Sequence, residues 1–510
     1  MKPLPIGIQT FRDIIEGGYL YIDKTQYLYN LAHNSKGAYF LSRPRRFGKS
    51  LMLSTFEEIF LGNKDLFKDL WIYNSEFPWN KYPVIRFDFS KQKAMTTDAL
   101  VEFIQNQLNY IASDYSITLS KEYYYERFEE LIKKLSLIGK VVILIDEYDK
   151  PIIDHLEETE KAKDFREVMK GFFTVLKGND AYIRFLLLTG VSKFSKAGVF
   201  SNLNHLEDIT MRDETSSLLG MTEEELRVYF PDYIKEVSIQ EEKTFEDTLK
   251  KIQYWYNGYL FSINGVPVYN PFSFLLLLNS KQFKHHWFET GTPEFLTKLI
   301  LQNNYDILEF PLHVEEIAFS SYEVDDLSLT SLLFQTGYLT IKDYDRELLV
   351  YTLDYPNFEV RQAFSNFLLR KIEKNRLSDS YLIKMIQTIQ KDDLELCISH
   401  LRTIFSNIDY DLHLANEKYY QTIFYLIFSL LGMKIKAEVK TNIGRIYVVI
   451  DSNSIYILEF KLNGTKEEAL TQIKTKKYYE PFLNLGKTLY LVGLEFKERN
   501  VGDYVVEEWT

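Results

Sequence analysis

The sequence predicts an α/β protein built around a parallel sheet, followed by a mainly helical middle and a terminal stretch that returns to strands. Three features predict it. Strand-like and helix-like segments alternate through residues 1–215, the pattern of a parallel sheet covered by helices on both faces. A Gly-Lys-Ser run stands where one strand hands over to a helix. A wholly apolar strand, Val141 to Ile145, ends in the acids Asp146 and Glu147.

In chain order, Ala38 to Ser42 is short, apolar and aromatic. It leads through Arg43-Pro44-Arg45-Arg46-Phe47-Gly48 into Lys49 to Phe60, where the apolar spacing is helical. Val84 to Phe89 is a second strand. Val141 to Ile145 is the continuous apolar run expected of a strand buried on both faces, and Ile183 to Leu188, apolar but for Arg184, is another such strand. Helical stretches fall at 97–113, 121–137 and 158–178. From about 215 to 345 the pattern is mostly helical, with Thr222 as an N-cap before Glu223-Glu224-Glu225. Residues 361–434 are again helical, and strands return at Tyr447 to Asp451, Ile455 to Lys461 and Thr488 to Val492. No internal repeat or long polar linker separates these regions. The expected domains are 1–215, 216–350 and 351–510.

Composition narrows the class. At roughly 150 residues per domain, 510 residues fit this division. The 46% apolar and 26% charged residues match soluble globular chains, and 22 Gly with 13 Pro exclude a collagenous or low-complexity protein. The one cysteine, Cys397, excludes an intramolecular disulfide framework and a cysteine zinc site, and fits a reducing compartment. The N-terminus has no signal-like apolar stretch. The longest uncharged run, between Lys418 and Lys434, is 15 residues, short of the ~20 that span a bilayer, and reads as a buried helix. A net charge of −12 argues against a non-specific nucleic-acid coat while leaving room for a local basic channel. The expectation is a soluble, cytoplasmic protein with no membrane partner.

The Gly48-Lys49-Ser50 run carries the first chemical signal. Backbone N–H groups at a helix start cradle phosphates, a lysine reaches the β/γ oxygens, and a hydroxyl ligates Mg²⁺. The first glycine of that consensus is replaced by Arg43. The strand ending in Asp146-Glu147 supplies the complement, one acid for the Mg²⁺ shell and the next to orient or deprotonate water. Together they point to ATP or GTP binding. The expected nucleotide contacts are Arg43, Arg45, Arg46, Phe47, Gly48, Lys49, Ser50, Leu51 and Thr189, with Ser50 and Asp146 on Mg²⁺ and Lys49, Asp146 and Glu147 catalytic. The three arginines either stabilise phosphate charge or pair with acids of the next domain. Thr189 is either a γ-phosphate sensor or a strand-end turn residue.

Several runs resemble the AAA-ATPase-like family of anaerobic bacteria: Tyr21-Ile22-Asp23-Lys24-Thr25, Phe40 to Ser50, Ile145 to Pro151, Leu188 to Ser195, Tyr269 to Ser273 and Trp287 to Pro293. The Arg-rich loop is itself part of that pattern, and the match runs nearly end to end. The resemblance implies a C-terminal module similar to PD-(D/E)xK nucleases, with Glu417 on a helix, Glu438 on a strand, Gly444-Arg445 at a turn, Glu459-Phe460-Lys461 on a strand, and Gln472 with Tyr478 on a helix. Residues two apart on a strand share a side, so Glu459 and Lys461 face one site. Where the family carries a metal-binding Asp, this sequence has Tyr447, a poor hard-cation ligand at neutral pH. Asp451 lies roughly 13 Å further along the strand.

From Lys434 to Thr510 there are twelve Lys/Arg against eleven Asp/Glu, with Lys474, Lys476 and Lys477 beside Tyr478 and Tyr479. These either contact DNA or RNA or form a solvated helix face. The favoured reading is an ATP- and Mg²⁺-dependent P-loop ATPase joined to a degenerate nuclease-like module that binds nucleic acid or a partner. The alternative is an active ATP-regulated, Mg²⁺-dependent nuclease, as in defence or mobile-element processing. A third, weaker reading is an assembly platform, since related ATPases form homo-oligomers through their lids.

Overall fold

The computed structural model describes residues 1–194, 206–287, 312–319, 328–372, 378–406, 436–442, 445–461, 464–483, 485–497 and 500–509, with seven residues between 423 and 431. These residues fall into two compact units, one within 1–295 and 311–360 and the other within 361–510. Among them, no helix is long and apolar enough to cross a membrane. The described residues of the apolar run after Lys418, among them Ile423, Phe424, Leu426 and Ile427, are helical and buried.

The first unit begins with two short helices, α1 (Phe11–Glu16) and α2 (Thr25–Ala32), then β1 (Gly37–Ser42) and α3 (Lys49–Phe60). There follow β2 (Val84–Asp88), α4 (Thr97–Asp114), α5 (Tyr124–Leu135), β3 (Val141–Asp146), α6 (Lys150–Ile153), α7 (Thr159–Gly178), β4 (Ile183–Gly190) and the short β5 (Glu207–Asp208). The sheet is parallel in the order β2-β3-β4-β1-β5. Every residue of β3 and β4 is buried, which is why both read as apolar runs, broken in β4 by Arg184 near its start. Side chains alternate between the two faces. Phe185 of β4 meets Phe56 and Phe60 of α3 at 5.1 and 4.9 Å between ring centres. On the opposite face Phe87 of β2 meets Phe128 of α5 and Phe172 of α7 at 5.8 and 5.0 Å.

A helical lid follows: α8 (Glu223–Tyr229), α9 (Pro231–Gln240), α10 (Phe245–Tyr256) and α11 (Pro271–Ser280). Thr222 closes a full capping box with Glu225 at the start of α8. The lid core gathers Met221, Phe230, Ile234, Ile252 and Phe274, and it also takes in Leu20, with Leu4, Ile6 and Ile22 packed against it. The N-terminal segment is thus a piece of the lid core.

The mostly helical stretch also contains a three-stranded antiparallel sheet, β6 (Leu312–Glu315), β7 (Thr340–Asp345) and β8 (Val350–Asp354), in the order β6-β8-β7. Burial alternates along β8, where Tyr351 and Leu353 are buried, and in β7 it is confined to Thr340 and Ile341, with Lys342 and Asp343 exposed. A few alternating positions are too weak a signal to stand out between helical runs.

In the second unit a mixed sheet is ordered β13-β12-β11-β10-β9, with β9 (Lys436–Asn442), β10 (Arg445–Asp451), β11 (Ile455–Lys461), β12 (Leu489–Lys497) and β13 (Asn500–Trp509). Only β11 and β12 run parallel. One face packs on the helix Lys466–Lys476 through Ile457, Leu470 and Ile473. On the other face Phe460 stacks on Phe424 at 4.3 Å and meets the tilted ring of Phe496 at 5.5 Å.

Candidate functional site

The parallel sheet aligns three functional strand ends. Ser42 of β1 is level with Gly190 of β4, Leu41 with Thr189, and Ile145 of β3 with Leu188. β4 therefore stands between the strand that feeds the loop and the strand that ends in acids. Ligands of open α/β sheets collect at these carboxyl ends.

The loop 43–48 turns into α3 at Gly48, whose φ of +95° is open to glycine and strained for other residues. Arg46 also has positive φ. Lys49 is 4% exposed. Its ammonium donates to the carbonyl oxygens of Arg43 and Pro44 at 3.0 and 3.2 Å and lies 3.7 Å from Glu147 Oε1.

Asp146 is buried. Its Oδ1 accepts from the Thr189 hydroxyl at 2.7 Å and from the Glu147 N–H at 3.0 Å. Burial pushes its carboxyl up, opposed by the hydroxyl of Ser50. Glu147 follows with φ +50°, a left-handed conformation that is uncommon outside glycine and recurs at functional turns. Asp149 stitches this turn to the one after β4, accepting from the N–H groups of Val191 and Ser192 at 3.0 and 2.5 Å. Burial and then the Glu147 charge push it up to about 7.

Arg43 departs from expectation. Its side chain is buried, with the guanidinium 4.0 Å over the Phe261 ring. It donates to the carbonyl oxygens of Ser42 and Thr210 at 2.9 and 2.6 Å and of Thr215 at 3.1 Å. Burial pulls it down to about 9, so it stays charged at neutral pH. This arginine ties the loop to residues 210–215 and does not contact the cavity. Phe47 supports the same anchorage, 4.9 Å from Tyr259 and 5.4 Å from Phe261.

Arg45 and Arg46 line the cavity, and among the described residues neither makes an ion pair; Arg46 lies over Phe272 at 4.4 Å. Arg43→Ala is expected to lower the unfolding free energy by about 2–4 kcal/mol, because it strips three carbonyls of a charged donor and leaves a void. Arg45→Ala is expected to leave the melting transition in place and to weaken triphosphate binding. Thermal melts and a titration of each variant check this, and equal melting of the two would overturn the division of roles.

The cavity above the loop holds about 440 Å³. Its lower wall is Arg45 to Met52 with Glu147, and its upper wall is mainly apolar, with Ile8, Ile22, Leu219, Met221, Phe230, Phe272 and Leu275 beside the polar Gln9, Tyr21 and Lys24. The sequence reading missed this upper wall. The one hint is Tyr269-Asn270-Pro271-Phe272-Ser273, in which Asn270 caps α11 by accepting from the N–H groups of Phe272 and Ser273 and so fixes Phe272 against Arg46. Ser195 and the end of the Trp287 to Pro293 run lie outside the described residues.

In the second unit, Glu459 is buried and its Oε1 accepts from Gln472 Nε2 at 2.5 Å, while Lys461 Nζ donates to Gln472 Oε1 at 2.5 Å. Gln472 therefore bridges the two residues of the E-x-K pair. The helix that carries it can lie this close because position 493 is glycine: a Cβ there would stand 2.1 Å from the Lys466 carbonyl oxygen. Backbone register puts Tyr447 directly opposite Glu459, with Lys440 and Gly493 in the same row. Glu438 pairs with Val449, two rows away and two strands from Glu459, a Cα separation of roughly 12 Å at ordinary strand spacings. It does not stand where a second acid beside Glu459 would. Asp451 accepts from Lys487 at 2.5 Å. Glu417 and Gly444 lie outside the described residues, and no cluster of His, Cys, Asp or Glu fit for a metal is found among the described ones.

Comparison with known proteins agrees with this division. The model of a predicted AAA-ATPase family matches residues 5–200, and that of the PD-(D/E)XK nuclease superfamily matches 415–505. An uncharacterized protein from the vnfD 5′ region of Azotobacter chroococcum mcd 1 is 37% identical over 530 residues, covering 99% of each chain. No solved structure matches. The chain belongs to the AAA-ATPase-like family, with a PD-(D/E)XK nuclease-superfamily segment near its C-terminus.

Proposed function

We propose that the first unit binds and hydrolyses ATP with Mg²⁺, and that the nuclease-like segment binds nucleic acid or a partner without cutting. One observation carries the first part: a single cavity joins a cationic floor (Arg45, Arg46, Lys49) to an apolar upper wall. A nucleoside triphosphate has that polarity, with a polyanion at one end and a flat apolar base at the other. An inorganic polyphosphate would leave the upper wall unused.

In this reading the N–H groups at the start of α3 and the Lys49 ammonium hold the β- and γ-phosphates. The Ser50 hydroxyl stands near the Asp146 carboxylate, and the two form a hard oxygen pair suited to Mg²⁺. The ion, when bound, neutralises phosphate charge. Glu147 orients and accepts a proton from the attacking water, and Thr189 fixes the Asp146 carboxylate from the neighbouring strand. Isothermal titration with ATP and Mg²⁺, followed by phosphate release, tests the reading. Absence of saturable ATP binding would refute it.

For the second unit, the Tyr447 position opposite Glu459 leaves Glu459 as the one carboxylate of that row among the described residues, where Mg²⁺ needs several oxygen ligands. The expected result is no Mg²⁺- or Mn²⁺-dependent cleavage of linear, circular or single-stranded nucleic acid by the unmodified chain. Tyr447→Asp is expected to gain cleavage. The Glu459–Gln472–Lys461 chain favours a second reading, an active nuclease. Cleavage by the unmodified chain that is lost in Lys461→Ala would establish it.

A further inference from the structure

The two walls of the cavity belong to different parts of the first unit. The floor comes from the loop, α3 and Glu147, and the upper wall from residues 218–221, Phe230, Phe272 and Leu275. Because Leu4, Ile6, Leu20 and Ile22 pack with the lid core, the chain passes from the lid to the sheet body between Ile22 and α2.

Lys24 stands at that crossing and lines the cavity. Its side chain is 12% exposed; the ammonium pairs with Glu225 Oε1 at 2.5 Å and donates to the Ser217 carbonyl at 2.7 Å. Ser217 directly precedes the apolar residues 218–221 of the upper wall. Glu225 serves twice, because its Oε2 accepts from the Thr222 N–H at 2.8 Å and so completes the cap of α8. Next to this pair, the Asp23 N–H donates to the Tyr229 hydroxyl at 3.3 Å. Two charged groups removed from water hold their geometry only while both are present, so the joint is set as a unit.

We propose that the Lys24–Glu225 pair is a positioning clamp that fixes the upper wall over the loop, and that affinity for the nucleoside part of the ligand depends on it. The inference rests on the cavity being a nucleoside-triphosphate site. Phosphate contacts come from the loop and α3 alone and do not need the clamp. Base contacts need both walls in register, and a preformed slot binds more tightly than one that must be assembled.

The test compares ATP with inorganic tripolyphosphate, both with Mg²⁺, by calorimetry on the full chain. Glu225→Gln is the informative variant, since glutamine at this position preserves the capping box while removing the charge. The expected result is an ATP affinity about tenfold weaker, within the roughly 5- to 150-fold range of coupled sites, with tripolyphosphate affinity changed less than about twofold. In a Lys24→Met background the same substitution is expected to change ATP affinity no further, which a general loss of lid stability would not reproduce. Unchanged ATP affinity in Glu225→Gln, equal losses for both ligands, or additive losses in the double variant would each overturn the clamp. A wild-type chain that binds tripolyphosphate as tightly as ATP, or binds neither, would instead overturn the nucleoside-triphosphate reading and the clamp with it.

Discussion

Glu147→Gln is expected to slow ATP turnover by roughly 10²–10⁴-fold, the usual range for losing a general base, while ATP affinity holds or rises. The substitution keeps the side chain's shape at a residue of φ +50°, so the turn should not rearrange. It removes the negative charge 3.7 Å from Lys49 Nζ, which frees that ammonium for a phosphate. Asp149 is poorly placed to take over, since its carboxylate is fully buried and already accepts from Val191 and Ser192 N–H. Asp146→Asn is expected to act differently, shifting the Mg²⁺ concentration needed for activity, because Asp146 sits beside the Ser50 and Thr189 hydroxyls, whereas Glu147 is the acid paired with the lysine. Single-turnover assays across Mg²⁺ concentrations separate the two. A wild-type rate in Glu147→Gln would remove it from the proposed chemistry.

The parts of this site that could be read in the sequence are those whose chemistry dictates residue type. A lysine and hydroxyl after glycine at a helix start, and acids after an apolar strand, have few alternatives in a chain that handles phosphate. What the sequence could not show is direction. Arg43 sits among cations in a loop, and a cation there reads as a phosphate contact. Its acceptors, the carbonyls of Thr210 and Thr215, lie more than 160 positions away and carry no signature. The apolar upper wall was invisible for another reason: Leu219, Met221 and Leu275 look like any core residues, and only topology gives them a cavity to face. Lys24 stands in a recognisable run, yet its partners, Glu225 and Ser217, are distant in sequence. In the second unit the tyrosine at 447 was evident from the sequence, but its position opposite Glu459, and the offset of Glu438, required the strand register.

Lys49→Ala is expected to weaken ATP binding by roughly 10- to 150-fold, the equivalent of losing one charge-assisted contact of about 1.5–3 kcal/mol. Two effects contribute and must be separated. The first is loss of the ammonium that meets the phosphates. The second is local: Lys49 also bridges the carbonyls of Arg43 and Pro44, so alanine leaves two loop acceptors without their donor and could slacken the loop. Lys49→Met retains the aliphatic stem and removes only the charged head, and Lys49→Arg retains the charge but replaces the compact ammonium with a planar fork that cannot follow it between the two carbonyls. If charge at the phosphates dominates, Lys49→Met matches Lys49→Ala in affinity while melting near wild type. If loop support dominates, Lys49→Ala melts lower and binds more weakly than Lys49→Met. Since Arg43 ties the loop down independently through Thr210, Thr215 and Phe261, the loop should keep its shape without Lys49, and the first outcome is the expected one. Calorimetry with ATP and Mg²⁺ beside thermal melts of the three variants decides it, and wild-type ATP affinity in a folded Lys49→Ala chain would remove this lysine from the phosphate site.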